Sequence, residues 1–366
     1  MKFRTGDARK FVMGAAAGLL AFAAALLPAQ GAQAAGSWQF VQQPIPGGFS
    51  TGGATILPFS ATSAVLTEHE GPCGIGGCWL PEYVWNRNGS AMTAQQASHG
   101  YDFPEGRTAG TAPDDLWSFG YPGGIANGGV EHWNGTTWTT YGFPSTFSGG
   151  TDSIAVTRNE VLTVGTDNTT SVWRPAVGRW SGGAWSVTVL PSPAGKDVHV
   201  DAIHQAGPND IWVVGETQMG KGVTEMYVAR FNGTTWTQVA VPALNAPYDS
   251  VREQIAGTST DLWITGKKTT DGCFTSLRFN GTTWTTVPTC DGTTIGSVVK
   301  YGTTWVANGG STGLRKWTGT AWSPIPSPRT TGTVVSRFTA EPGGAGFWAV
   351  GNDATGLFVS RFTGAL

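Results

Sequence analysis

Two short phrases alternate along most of the chain, and their spacing restricts the folds available to it. The first phrase contains an aromatic residue or leucine, usually followed by glycine, and its copies centre on Leu66, Trp117, Leu162, Trp212, Trp263, Trp305 and Trp348. The second reads like "RFNGTTWT", and the residue after its turn is Met92, Trp138, Trp185, Trp236, Trp284 or Trp322. Those six positions are 46, 47, 51, 48 and 38 residues apart. A period of roughly 40–50 residues is typical of a four-stranded propeller blade.

The chain ends in "SRFTGAL", the beginning of a seventh hairpin that lacks its tryptophan and its second strand. The missing half stands near the other end, where "GSWQFVQQP" from Gly36 matches "TTWTQVAVP" from Thr234. This arrangement fits a ring, in which the first and last repeats are neighbours and no sheet edge is left open. The sequence therefore predicts an all-β fold, a seven-bladed β-propeller of four-stranded blades. Residues 37–43 should close the ring by pairing with residues 357–363.

The repeated residues also resemble those of a known group of proteins. A "VW-x-x-G" strand followed by an "R-F/W-N-G-x-x-W" hairpin is similar to the repeats of tectonin or tachylectin-type propeller lectins, over most of residues 36–366. The resemblance implies a propeller that binds carbohydrate without being an enzyme. A sialidase Asp-box would need aspartate at the place held by Trp133, Phe231 or Phe279.

The first 35 residues have the features of a secretory signal peptide. Lys2, Arg4, Arg9 and Lys10 precede an apolar stretch at 11–27, and small residues around Ala34 and Ala35 suit a cleavage site. We expect residues 1–35 to be removed and residues 36–366 to form a secreted propeller. The alternative is an uncleaved anchor, for which the apolar stretch is short.

Charge argues against nucleic acid as a partner. Removing residues 1–35 takes away four positive charges and one negative charge, so the net charge changes from −2 to about −5. A mildly acidic chain without basic runs is a poor match to a phosphate backbone. No second apolar run is long enough to span a membrane, so we expect no membrane association after cleavage.

The variable loops indicate which face would bind a ligand. If the strands of a blade are named A to D from the inside, the B–C loops and D–A crossings share one face, and they differ in every blade. Repeat folds keep their framework and vary their binding surface. Aromatic residues predicted on this face include Tyr83, Phe103, Phe143 and Phe147. The predicted ligand-binding residues are Trp79, Tyr101, Tyr121, Tyr248, Arg107, Asp201 and Arg252.

Metal binding and catalysis have weaker support in the sequence. Asp197, His199 and Asp201 alternate along one predicted inner strand, yet three such residues suit a solvated strand end better than a cation site. The acids predicted near the channel mouth, among which nothing selects a catalytic pair, are Asp102, Glu105, Asp152, Asp201, Asp249 and Glu253. The inner-strand cations that could neutralise them, or hold an anionic sugar, are Arg107, Arg252, Lys300 and Arg337. No catalytic residue, metal or cofactor is nominated.

Four cysteines in an exported chain are expected to form disulfides. A hairpin with its turn at residues 280–283 places Cys273 opposite Cys290, at a separation that a disulfide can bridge. A tighter two-residue turn would instead oppose Cys273 to Pro288. The remaining pair is Cys73 with Cys78, across the short and glycine-rich "CGIGGC".

Three functions remain open at this point. The first is a secreted, non-enzymatic, lectin-like protein that binds a glycan or cell-wall polysaccharide through its variable face. The second is a scaffold that uses the same face to bind a secreted or cell-surface protein. The third is a hydrolase or lyase acting on glycans. The ligand's identity and the oligomeric state are not encoded in these patterns.

Overall fold

A computed structural model describes residues 37–42, 55–69, 80–88, 91–101, 108–120, 128–218, 223–244, 246–247, 254–310, 313–326, 334–353 and 356–366. All regular elements in these ranges are β-strands. None of the described segments forms a helix with the length and apolar character needed to cross a membrane. In chain order the strands are β1 (Ser37–Gln42), β2 (Thr55–Pro58), β3 (Ser63–His69), β4 (Leu80–Asn88), β5 (Ala91–Tyr101), β6 (Thr108–Ala112), β7 (Asp115–Gly120), β8 (Gly129–Trp133), β9 (Trp138–Gly142), β10 (Phe147–Thr157), β11 (Glu160–Asp167), β12 (Arg174–Ser181), β13 (Ala184–Val189), β14 (Val198–Gly207), β15 (Asp210–Gln218), β16 (Val223–Phe231), β17 (Trp236–Gln238), β18 (Ala246–Pro247), β19 (Gln254–Thr258), β20 (Asp261–Lys268), β21 (Phe274–Phe279), β22 (Trp284–Thr289), β23 (Val298–Tyr301), β24 (Thr304–Asn308), β25 (Leu314–Trp317), β26 (Trp322–Ile325), β27 (Val334–Ala340), β28 (Phe347–Asp353) and β29 (Gly356–Thr363).

Hydrogen bonding groups the described strands into seven antiparallel sheets. Six sheets are built from strands that follow one another in the chain: β2–β5, β6–β9, β10–β13, β14–β18, β19–β22 and β23–β26. The other sheet has the order β1-β29-β28-β27 and so combines both ends of the described chain. The expectation of four strands in every sheet is wrong for one of them. In that sheet, β18 pairs with Val223 and Thr224 at the start of β16 and so makes a fifth strand.

The sheets are arranged around a common centre. The first strand of each sheet contacts the first strands of the next and previous sheets, in the closed order β2, β6, β10, β14, β19, β23, β27 and back to β2. Each sheet is therefore one blade of a β-propeller, and these seven strands are the innermost A strands. This arrangement places every A–B and C–D turn on one face, which we call the turn face. The B–C loops and D–A crossings lie on the opposite face, which we call the loop face.

The two ends of the described chain meet in one blade, as the truncated repeat predicts. In the ladder between β1 and β29, Ser37 pairs with Thr363 and Gln42 with Val359, with an irregularity near the end. The Trp38 ring packs edge-on against Phe347 and Phe362, at centroid separations of 5.4 and 5.2 Å. The predicted partner of the last strand is therefore confirmed, and Trp38 pairs with Phe362 as Trp236 pairs with Phe231 and Trp284 with Phe279.

The repeated Asn-Gly-Thr-Thr phrase forms the turn between strands C and D. In the copy that begins at Asn280, the asparagine N–H donates to the Thr283 carbonyl at 3.2 Å, and the asparagine side chain accepts from Thr282 and Thr283 N–H. Gly281 has a φ of +96°, a left-handed conformation that glycine adopts without steric cost. A four-residue turn of this kind sets the strand register, so that Phe279 pairs with Trp284.

In five of the seven sheets, the second strand supplies one of the largest buried side chains of the described residues. Trp117, Trp212, Trp263, Trp305 and Trp348 are each at most 1 % exposed, and they fill the space between neighbouring sheets. Phe143 and Phe147, expected on the ligand-binding surface, are instead buried. The Phe147 ring lies against Gly149 and Gly178, where a Cβ atom would come within 2.2 and 2.7 Å of the ring. These two glycines give the ring its space in the core, which the sequence pattern alone did not reveal.

Candidate functional site

The turn face carries a repeated structural unit of an acid, a basic residue and a tryptophan. In the fourth blade along the chain, Asp210 accepts two hydrogen bonds from Arg230, at 2.6 and 3.0 Å, and the guanidinium lies 4.8 Å from the centroid of Trp212. In the second blade, His132 stacks on Trp117 at 3.8 Å and contacts Asp115. Such contacts hold strands B and C together, so we assign this face a mainly structural role.

One of these units joins two blades. Asp261 accepts from Arg278 of its own blade and from Lys300 and the Trp305 indole of the next, at 3.1, 3.2 and 2.9 Å. Burial opposes ionisation of this carboxyl, but the hydrogen bonds from Trp305, Lys300 and Arg278 hold its pKa below the ordinary value of 3.8. These units were not predicted from the sequence. Their signal is the acid that begins the "D-x-W" phrase and the basic residue before the hairpin aromatic.

The loop face presents an exposed tryptophan. Trp173 lies in the B–C loop between β11 and β12, and 51 % of its surface is exposed. Its ring stands perpendicular to that of His199 on the adjacent blade, at a centroid separation of 4.5 Å. Together with Asp197, these residues form a small aromatic and acidic platform, which we call the Trp173 platform.

Backbone contacts across two blades fix the position of the platform. The Trp173 N–H donates to the Asp197 carboxylate at 2.8 Å, and the Trp173 carbonyl accepts from Val198 N–H at 2.9 Å. The Asp197 carbonyl in turn accepts from Gln218 N–H at 3.0 Å. An exposed indole in a loop that is tied at both backbone groups needs little further ordering to receive a ligand.

A charged pair lies beside the platform. Arg174 follows Trp173 directly and binds Asp167, which is directly opposite on β11, and it also donates to Thr169 Oγ1 at 2.7 Å. Burial raises the pKa of Asp167, but hydrogen bonds from Thr169 and Arg174 outweigh it and hold that pKa below 3.8. Because this arginine and aspartate neutralise each other, Asp197 is the anionic group of the platform.

Sequence reasoning did not nominate Trp173, although a signal was present. All tryptophans except Trp79 and Trp173 belong to one of the two repeated phrases, and the five tryptophans of the first phrase fill the core. A tryptophan outside the repeat has no such structural position assigned to it. Trp79 was proposed as a ligand contact because it falls in a predicted variable loop, whereas the loop that contains Trp173 was not singled out.

Most of the nominated ligand-binding residues lie outside the part of the structure that can be described. This applies to Trp79, Tyr121, Tyr248, Arg107 and Arg252, and to the acids Asp102, Glu105, Asp249 and Glu253. Tyr101 ends strand β5, and only its backbone pairing with Leu80 is described. The proposed ligand contacts of these residues therefore stay predictions.

The remaining nominated residues are placed on inner strands. Asp201 occupies a bulge in β14, between the ladder pairs of Val200 and Ala202, so the expected alternation with Asp197 and His199 is interrupted there. No group of three metal-ligating side chains occurs among the described residues. The Asp152 carboxylate accepts from Ile203 N–H at 3.0 Å, in the neighbouring blade. Lys300 pairs with Asp261, and Arg337 lies on β27 with an interaction partner of its own.

The predicted disulfide between Cys273 and Cys290 is present. The pairs Phe279–Trp284, Leu277–Thr286 and Thr275–Pro288 have the expected register. Cys273 and Cys290 lie opposite each other beyond the last of these pairs, at a Cα separation of 4.4 Å. The bond closes the outer end of the hairpin on the loop face. Cys73 and Cys78 lie outside the described residues, so their bond stays a prediction.

Neither protein-family models nor curated proteins match the chain, whereas many solved structures do. YCF48 bound to a D1 peptide superposes with a TM-score of 0.56 at 14 % identity, over 89 % of this chain and 94 % of that chain. The WD40 β-propeller domain of Doa1 gives a TM-score of 0.54 at 10 % identity, over 89 % and 97 %. At these identities the similarity establishes a β-propeller fold.

The similar structures also include lectins. The fungal lectin of Aleuria aurantia, described as a six-bladed propeller with a novel fucose recognition mode, gives a TM-score of 0.47 at 12 % identity, over 78 % of this chain and all of that chain. The described part of our chain has one more hydrogen-bonded sheet than that lectin has blades.

Proposed function

We propose that this protein is a secreted carbohydrate-binding propeller and that the Trp173 platform is one of its contact sites. The carrying observation is a half-exposed indole on the loop face, whose backbone is held by hydrogen bonds with Asp197 and Val198 of the next blade. This indole offers a fixed apolar surface with polar groups beside it, the combination that small-ligand sites use.

The chemistry of the platform matches a sugar ring. The C–H face of a pyranose is apolar and packs against an indole, while its hydroxyl groups donate to carboxylates. Trp173 supplies the apolar surface, and Asp197 and His199 stand beside it as hydrogen-bonding groups. A single platform of this size would bind weakly, and several sites around the ring would raise the avidity of binding to a polymer.

Export is part of the same proposal. Residues 1–35 have the pattern of a signal peptide, with cleavage near Ala34 or Ala35. The Cys273–Cys290 disulfide suits an oxidising compartment outside the cytosol. Cell-surface or cell-wall polysaccharides would then be the accessible ligands.

A protein partner is the second candidate. The favouring observation is that a propeller of similar fold, YCF48, is bound to a peptide. An exposed tryptophan is also a common energetic centre of protein interfaces, so the same platform would serve. The two candidates differ in whether free sugars compete with binding.

The test is a glycan array together with pull-down on insoluble cell-wall polysaccharides, using the chain from residue 36 onward. We expect binding that falls at least about tenfold in Trp173→Ala and is largely kept in Trp173→Phe, because phenylalanine preserves an apolar face. Val189→Ala is the matched control, since Val189 is the other large exposed apolar side chain among the described residues.

Thermal unfolding should show that all three variants remain within about 1 kcal/mol of the parent, as expected for exposed positions. Failure to bind any glycan or polysaccharide would contradict the lectin proposal. A stoichiometric protein captured from the secretome, insensitive to free sugars and lost in Trp173→Ala, would establish the second candidate instead.

A further inference from the structure

A cavity of about 390 Å³ lies against the inner strands of four consecutive blades. Its walls include His204 from β14 and residues 254–258 of β19. They also include residues 297–300, at the start of β23, and residues 338–340 of β27. Its volume falls within the range of small-molecule sites in proteins, which runs from roughly 300 to 1,000 Å³. It lies on the inner strands, and neither Trp173 nor its neighbours line it.

Most of the cavity wall is apolar. Ile255, Val298, Val299 and Phe338 line it together with the Trp305 ring. Among the described residues of its lining, Lys300 carries the only formal charge at neutral pH, and no carboxylate lines it. His204 remains neutral there because burial lowers the pKa of its ring below 6.5.

The charge of Lys300 is only partly compensated. Asp261, outside the lining, binds both Lys300 and Arg278, at 3.2 and 3.0 Å, so one carboxylate faces two cations. The Lys300 side chain is 39 % exposed, and Asp261 uses one of its three ammonium N–H donors. A low-dielectric wall beside a surplus positive charge favours an anion.

We propose that this cavity binds a small organic monocarboxylate, a molecule with an apolar body and one anionic end. The apolar body packs between Val298, Ile255 and Phe338, and the carboxylate accepts from the Lys300 ammonium. Ser297 and Gln254, in the same lining, are available as hydrogen-bond partners for hydroxyl groups of the ligand. An aromatic acid meets this description, whereas a cation or a dianion without an apolar body does not.

The experiment compares benzoate with benzamide on the wild-type chain by isothermal titration calorimetry. The two probes share size and shape and differ in charge. We expect benzoate to bind at least about tenfold more tightly, since a charge-assisted hydrogen bond stabilises by roughly 1.5–3 kcal/mol. Equal affinities, or no benzoate binding at millimolar concentrations, would overturn the proposal.

Variants locate the site. Lys300→Met should lose at least about tenfold in benzoate affinity, and Lys300→Arg should retain it. Lys316→Met is the control, because Lys316 lies on β25, outside the cavity lining. Retention of benzoate binding in Lys300→Met would refute the role of this lysine.

Two further comparisons separate loss of the cavity site from loss of folding and from failure of the lectin proposal. If Lys300→Met proves unstable, the comparison of benzoate with benzamide on the wild type still decides the proposal. Trp173→Ala should bind benzoate like the wild type, so failure here and failure of the lectin proposal are distinguishable.

Discussion

At the scale of single residues, Asp261 illustrates how this molecule uses charge. Its side chain is 20 % exposed and binds two cations and one indole drawn from two blades. Each of these contacts is worth little alone on a surface, but a carboxylate enclosed by three donors forms a network. The network ties the A–B turn of one blade to the inner strands of the next.

The first prediction concerns this carboxylate. Asp261→Asn should destabilise the protein by about 2 kcal/mol at pH 7, because Arg278 and Lys300 are left facing no anion. The native pKa is lowered, so the stabilisation is present above pH 3.8 and is lost as the pH falls through the native pKa. Urea unfolding at neutral and acidic pH measures both effects.

Asp114→Asn is the matched control for that experiment. Asp114 pairs with Arg158 on the surface, where more than half of each side chain is exposed. Such pairs contribute little to stability. A loss in Asp114→Asn as large as that in Asp261→Asn would show that the cross-blade network has no special importance.

The second prediction concerns His204, which links two inner strands. Its Nε2 lies 2.7 Å from the Gly257 carbonyl oxygen in the neighbouring blade. Burial lowers the pKa of the ring, and the Gly257 contact with the charges of Asp152 and Asp210 opposes this only in part. The unfolded chain therefore takes up a proton at a higher pH than the folded chain does.

It follows that stability should fall as the pH drops below about 6.5, by up to about 1.4 kcal/mol per pH unit until the native ring becomes protonated. The His204→Gln variant should lack the part of this pH dependence that comes from protonation of His204. The difference in unfolding free energy between the two proteins should therefore shrink from pH 7.5 to pH 5.5. Parallel pH profiles for both proteins would contradict the assignment.

At the scale of elements, the C–D hairpin is the unit from which the blades are built. Its asparagine side chain and the following glycine form a four-residue turn, and this turn sets the pairing of every residue farther along the two strands. The pairing of Cys273 with Cys290 is a direct result of that register. The alternative two-residue turn would have moved the second cysteine out of reach.

The third prediction follows from this bond. Replacing Cys273 and Cys290 together by serine should cost about 3 kcal/mol in the chain-entropy account, since the bond joins residues that are 17 positions apart in the sequence. Guanidinium unfolding measures the loss. The predicted bond between Cys73 and Cys78 would close a much shorter loop. Replacing both of those cysteines should therefore cost less stability.

Non-reducing peptide mapping checks the pairing itself. Fragments linking Cys273 to Cys290 and Cys73 to Cys78 are expected. A link between Cys73 and Cys273, or between Cys78 and Cys290, would refute both the hairpin register and the predicted second disulfide.

At the scale of the whole molecule, stability depends on closing the ring. Strand β1 supplies the outer edge of the last blade, and the Trp38 indole donates to the Pro326 carbonyl of the preceding blade at 3.2 Å. Without this strand, β29 would expose an unpaired edge, and the aromatic cluster around Phe347 and Phe362 would lose one wall.

The fourth prediction is therefore a large loss of stability on deleting residues 36–44. The melting temperature should fall by several degrees or more, because a long ladder and a packed tryptophan are removed together. Trp38→Phe, which keeps the strand and an aromatic ring, should have a smaller effect. A truncated protein that melts like the parent would show that ring closure contributes nothing.

The sequence by itself determined the features that depend on neighbours in the chain. The alternating phrases fix the blade period, the turn residues fix the register of the hairpins, and the divided repeat identifies Trp38 as the partner of the last strand. These properties are readable because hydrogen bonding in a hairpin depends on the residues within it.

Only the tertiary structure decided which side chains from different blades meet. The Trp173 platform, the Asp261 network and the cavity beside Lys300 each combine residues from two or more blades. The burial of Phe147 depends likewise on Gly178, in another strand, and the position of Asp201 depends on a bulge. Packing between sheets is set by shape and distance in space, which a one-dimensional pattern does not contain.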